Sequence, residues 1–207
     1  MSTSYTISVE NQRGQNTNYA VFMNPPEFTG GQQSWMNVWY TSFVPHHGNF
    51  EMSISANDRL DRGWHCTYGT IARCRTFDKK IIQSFPTITE ISPSAIPSAY
   101  EIKTGTDFEV PNNTYLVGLA KVNNRGQVAP VASIAPYNNM NIQITPKIKF
   151  FVSESHQVPG EIVDYDAVVR DGATIDFSSG EGQGKFYARV IQNTDGKFAV
   201  TYYDNFD

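Results

Sequence analysis

The sequence predicts an all-β protein: a single-domain antiparallel β-sandwich over residues 1–207, with little helix. Three observations predict it. Apolar side chains recur at every second position in one segment after another, helical periodicity is nearly absent, and Gly-, Asn-, Asp- and Pro-containing turns separate the alternating runs at the spacing of a sandwich.

In chain order, Tyr5, Ile7 and Val9 alternate with Thr6, Ser8 and Glu10, and Phe50, Met52 and Ile54 with Glu51, Ser53 and Ser55. Both read as strands half buried on one face. Phe108/Val110, Tyr115/Val117/Leu119, Ile142/Ile144, Ile148/Phe150/Val152, Ile175/Phe177, Phe186/Ala188/Val190 and Phe198/Val200/Tyr202 repeat the pattern, for about ten strands. Turns are expected at Asn123-Asn124-Arg125-Gly126, at Asp171-Gly172 and at Thr194-Asp195-Gly196, the last closing the clearest hairpin. Pro146 falls between two alternating runs and marks a bend, an edge or a bulge, because its missing N–H would break a central ladder. The proline-bearing stretches 85–100 (Pro86, Pro93, Pro97) and 128–137 (Pro130, Pro136) read as long loops or irregular edge strands. Asp164 to Arg170 is the one helical candidate, and a short one. A domain boundary would fall in the first proline stretch, but each half would then bury too little apolar surface to stand alone, so one domain is expected.

Lys and Arg number 16 against 20 Asp and Glu, for a net charge of −4. Charged residues make up 17%, while 16 Asn and 10 Gln together outnumber the acids, so the polar surface is largely uncharged. Without a Lys/Arg cluster the chain lacks the electrostatic footprint of a nucleic-acid binder. No run approaches the ~18–20 apolar residues of a membrane helix, and MSTSYTISVE has neither the basic nor the apolar region of a signal peptide. The expectation is a cytoplasmic protein that engages neither membrane nor nucleic acid. Cys66 and Cys74 are too few to form a zinc site alone and read as reduced structural residues, with a local disulfide as the alternative. Nucleophile-elbow, Walker A and dinucleotide motifs are absent, so no cofactor is expected. Gly180-Glu181-Gly182-Gln183-Gly184 superficially echoes a phosphate loop, but a strand pattern follows it rather than a helix, and it reads as a hairpin entry.

Several short motifs resemble the rhizosphere-induced RhiA-like family of bacterial and fungal proteins. Tyr5-Thr6-Ile7-Ser8-Val9-Glu10-Asn11 followed by Tyr19-Ala20-Val21-Phe22 is similar to that family's first strand, polar loop and second strand. Trp39 and Trp64 are similar to its tryptophan and to its strand-closing aromatic. Val117-Gly118-Leu119, the segment from Ile142 to Pro146, Pro159-Gly160-Glu161-Ile162-Val163-Asp164 and the closing hairpin extend the likeness over nearly the full length. Trp64-His65-Cys66 through Cys74, Pro45-His46-His47-Gly48 and the segment 85–100 depart from it. The resemblance implies a fold and, since the family has no established reaction, no activity.

The chemistry-bearing candidates come from residue type and spacing. Glu154 and His156 are two apart on an expected strand and would share a face, a pairing that raises an imidazole's pKa for proton transfer. Asp164 and Asp166 follow on a rim loop. His65 lies between Trp64 and Cys66 and, if Trp64 packs inward, faces solvent or a groove. His46 and His47, adjacent in a turn, are expected to point to opposite faces and so not to chelate one metal; no metal site is expected. Aromatics reach 13%, and Trp35, Trp39, Tyr40 and Trp64 are the candidates for a ligand wall. Trp39 and Tyr40 are expected to face opposite ways, one into the core and one to a surface or cleft.

The favoured reading is a small-molecule site for a hydrophobic ligand. If catalytic, it would perform cofactor-free cyclisation, isomerisation or dehydration by positioning and acid–base groups. The alternative is a non-catalytic lectin-like or surface-recognition module for a glycan or a partner. Sheet edges leave a homodimer open.

Overall fold

Among the described residues, alternating apolar residues become paired strands in four sheets, numbered along the chain. The computed structural model describes residues 3–29, 33–56, 64–70, 73–75, 100–106 and 116–204, with segments 64–70 and 73–75 described by their backbone alone. The first sheet has the order β17 (Phe198–Tyr203), β16 (Tyr187–Gln192), β1 (Thr3–Asn11), β6 (Asn49–Ala56). The second runs β15 (Ala173–Asp176), β13 (Lys149–Glu154), β2 (Thr17–Met23), β5 (Tyr40–Val44). A six-stranded sheet runs β14 (Ile162–Val163), β4 (Trp35–Asn37), β11 (Val128–Ile134), β10 (Leu116–Val122), β7 (Trp64–Thr70), β8 (Arg73–Arg75). A three-stranded sheet has the order β3 (Glu27–Phe28), β12 (Asn141–Thr145), β9 (Tyr100–Lys103). The fold class is all-β and sandwich-like, as the alternation predicts.

Two departures from the expected plan have clear causes. Strands β1 and β16 pair in parallel, Ile7 opposite Ala188 and Val9 opposite Val190, so the sandwich is not purely antiparallel. The stretch around Pro130 is an inner strand, β11, between β10 and β4. Its proline is tolerated because the register with β10 shifts between Leu119 and Ala120, and because β4 pairs only with Ala132 and Ser133. The expected run at Phe108/Val110 and the stretch 85–99 lie outside the described residues.

The largest core cluster fills the space between the first two sheets. Ile7, Val9, Met52 and Val190 meet Tyr19, Val21, Phe150 and Val152 there, all essentially inaccessible. Ala20, Phe22 and Phe151 point out of the opposite face of β2 and β13 into a second cluster with Met36, Val38, Val163 and Val168. Both central strands are thus buried on both faces, which is why Tyr19-Ala20-Val21-Phe22-Met23 is an unbroken apolar run. A third cluster, including Val117, Leu119, Ile134, Ile142 and Ile144, lies beside Phe28.

The outer face of β2 and β13 is covered by β4, β14 and one helix, α1 (Tyr165–Asp171). Asp164 caps it, accepting from the backbone N–H groups of Asp166 (2.9 Å) and Ala167 (3.4 Å). Val168 is its buried residue. The helix stops at Gly172, whose N–H reaches the Val168 carbonyl at 2.9 Å. A Cβ at Gly172 would come within 2.6 Å of that oxygen and 2.7 Å of the Val152 carbonyl, so only glycine fits. No helix among the described residues is long and apolar enough to cross a membrane.

Candidate functional site

Because the cover over β2 and β13 consists of very short elements, it leaves a groove on each side of the Val163–Asp164 segment. The larger groove, about 770 Å³, is walled by residues 24–28, by 33–36 at and before the start of β4, and by 163–166. Strand β4 is held between β11 (Met36 opposite Ala132) and β14 (Met36 opposite Val163), with Met36 buried in the second cluster and Trp35 half-buried beside it on the groove. Tyr165 opens the helix, stands its ring perpendicular to Phe151 at 5.6 Å, and donates its hydroxyl to Asn24 Oδ1 at 3.3 Å. Glu27 on the rim pairs with Lys147 at 2.6 Å, which holds its carboxyl below the ordinary range.

The smaller groove, about 450 Å³, lies between the end of β13, the inner side of α1 and the β16–β17 hairpin. Glu154 Oε1 accepts from Arg13 Nε at 3.1 Å and from Gln192 Nε2 at 2.8 Å. Gln192, 1% exposed, accepts in turn from the hydroxyl of Tyr19 at 2.7 Å. Burial pushes the Tyr19 phenol up to about 12, with the Glu154 charge adding to the rise.

The residues expected to bear chemistry do not converge. Asp164 borders both grooves and Asp166 the larger, but Asp164 is committed to capping. Glu154 lines the smaller groove, whereas His156 is exposed and lines neither. The shared face expected of this pair presumes a strand that continues. Strand β13 stops at Glu154, and Ser155 turns the chain by accepting the Gln157 N–H on its hydroxyl at 3.1 Å. No hydrogen bond or ion pair joins Glu154 to His156.

Among the aromatic candidates, Trp35 reaches the larger groove, but Trp39 and Tyr40 are both core residues, 1% and 9% exposed. Trp39 donates its indole N–H to the Lys121 carbonyl at 3.1 Å, and Tyr40 packs near Phe50 with the Arg125 guanidinium 5.4 Å from its ring centroid. Opposite faces would follow from one continuous strand. Instead the chain crosses from β4 to β5 at Val38–Trp39, where Val38 N–H bonds Glu161 and Trp39 N–H bonds Val21. The backbones of Trp64 and His65 lie in β7 opposite Lys121 and Ala120, and their side chains lie outside the described residues.

His46 and His47 also differ from expectation. His47 takes φ +61°, so the turn brings the two exposed rings to 3.6 Å between centroids rather than to opposite faces. Among the described residues, no three His, Cys, Asp or Glu side chains gather as metal ligands. Residues 180–182 form a 3₁₀ turn, and a strand, β16, rather than a helix follows it.

The sequence reading did not single out Asn24, Phe28 or Tyr165, whose signals are local. Asn24 precedes Pro25-Pro26, a breaker that ends β2, and Tyr165 directly follows the capping Asp164. Nor did it mark Lys121, 3% exposed, whose ammonium burial lowers to about 8. Comparison with known protein families, with curated proteins and with solved structures returned no match.

Proposed function

We propose that this chain is a non-catalytic binding module whose ligand is a saccharide seated in the larger groove. The observation that carries the reading is Trp35, half-buried at the wall of an open groove, flanked by Phe28 and Tyr165 and by the side chains of Asn24, Gln33, Asp164 and Asp166. A pyranose has one face of C–H groups and a rim of hydroxyls. Aromatic faces match the first, and amide or carboxylate groups match the second.

Two further points support a polar ligand and binding rather than turnover. A lipophilic ligand is best held in a cavity that buries most of its surface, whereas this groove is open and carries Asn24, Gln33, Asp164 and Asp166 in its lining. Two of its three acids already have tasks, Asp164 at the helix cap and Glu27 with Lys147, and the candidate imidazole His156 lines neither groove to work beside the third, Asp166.

A glycan array followed by calorimetric titration of the sugars retained tests the reading. Trp35→Ala should weaken binding about tenfold or more, the equivalent of ~1.4 kcal/mol, and Trp35→Phe should restore part of it. Retention of no glycan, or unchanged affinity in Trp35→Ala, would refute the proposal.

A further inference from the structure

The smaller groove repeats the chemistry of the larger. It holds an aromatic ring, Phe198, half-buried and tilted 72° to Tyr19, and a carboxylate, Glu154, whose Oε1 is fixed by Arg13 and Gln192 while its Oε2 accepts no bond among the described residues. Its floor includes Ser153, 7% exposed, whose hydroxyl has no hydrogen-bond partner among the described residues. Ser153 nonetheless lines the groove, so its hydroxyl is reached from that side. A hydroxyl that is enclosed, unpaired and open to a groove leaves hydrogen-bonding capacity for whatever enters it. The two grooves adjoin, since Val163 and Asp164 border both.

We propose that they are successive subsites of one cleft and that the occupant is an oligosaccharide whose chain crosses Val163–Asp164. Sugar units would lie against Trp35 on one side and against Phe198, Ser153 and Glu154 on the other. This rests on the saccharide reading of the larger groove. Joining two subsites through one ligand makes the second contact intramolecular, so affinity grows steeply with chain length.

The test titrates malto-, cello-, xylo- and chito-oligosaccharides calorimetrically, each from monosaccharide to hexasaccharide, against the wild-type chain and two variants. In the series that binds, the hexasaccharide should bind on the order of 10²-fold tighter than the monosaccharide. Ser153→Ala should weaken the hexasaccharide about threefold to tenfold and leave the monosaccharide unchanged. Gln157→Ala, on the exposed rim of the same groove, should act in the same direction and keeps the test valid if Ser153→Ala disturbs folding. If monosaccharides bind in a Trp35-dependent way but affinity is flat with length and both variants match wild type, the second subsite is refuted while the first reading stands. If no saccharide of any length binds, the saccharide reading itself fails.

Discussion

Tyr19 offers a stability test with two independent readouts. Its side chain is inaccessible, and its hydroxyl donates to Gln192 Oε1 at 2.7 Å, the inner end of the network that runs through Glu154 to Arg13. Tyr19→Phe keeps the ring and its contacts with Phe50 and Phe198 but strands the Gln192 oxygen in the interior. A buried acceptor left unpaired costs about 1–3 kcal/mol, so at neutral pH urea unfolding should show a lower midpoint with an unchanged slope, and Tm should fall about 2–4 °C per kcal/mol. The alkaline limb gives the second readout. Burial raises the folded-state pKa from the ordinary 10 to about 12. The proton-bound form is therefore favoured by folding, and this stabilisation is complete below pH 10 and is lost as pH rises through about 12. Two pH units at ~1.36 kcal/mol each give roughly 3 kcal/mol at most. Phenylalanine has no such loss, so the gap between wild type and variant should narrow between pH 10 and pH 12. A gap that stays constant across that range, or a neutral-pH difference under about 0.5 kcal/mol, would refute the reasoning.

Substitutions at two further positions probe the frame around the grooves. A Cβ at Gly118 would lie 1.9 Å from the Ala132 carbonyl oxygen in the neighbouring strand, so Gly118→Ala must push β10 and β11 apart. It should cost more than about 3 kcal/mol, or abolish soluble expression, and a thermal unfolding profile within 1 °C of wild type would contradict the pairing. Asp164→Ala removes the cap of α1 and should cost about 1 kcal/mol, whereas Asp164→Asn, also a capping residue, should recover most of that loss in the same denaturation assay.

The strands were legible in the sequence wherever one face is buried and the other wet. Residues 5–9, 50–54, 187–192 and 198–202 carry that alternation and sit in the first sheet. What alternation cannot encode is which distant strand becomes the neighbour. The parallel pairing of β1 with β16 joins segments near opposite ends of the chain, and neither carries a local mark of it. Pattern reading went astray where a local assumption about chain direction failed. Glu154 and His156 would share a face only if β13 ran two residues further, Trp39 and Tyr40 would diverge only on a single strand, and His46 and His47 would part only in an extended backbone. Each error is a bend of one or two residues, set by a local bond at Ser155–Gln157 and by long-range hydrogen bonds such as Trp39 N–H to Val21.

The location of the grooves follows from the layering. With β2 and β13 buried on both faces, an outer cover is required over Ala20, Phe22 and Phe151. That cover is built from β4 of three residues, β14 of two and α1 of seven, which shield the apolar side chains but cannot tile the whole face. The gaps are therefore bordered both by the anchors Met36, Val163 and Val168 and by the residues that follow or precede them in sequence: Trp35 beside Met36, Asp164 and Tyr165 after Val163, Ala167 beside Val168. Anchors and groove residues thus divide the work. Replacing an anchor such as Met36 or Val168 should weaken the fold, whereas replacing Trp35, the half-buried neighbour, should change the proposed recognition with little effect on the core. Trp39, four residues on, behaves in the opposite way: its indole is locked to Lys121 inside the sandwich, and its loss would be felt as instability whatever the ligand.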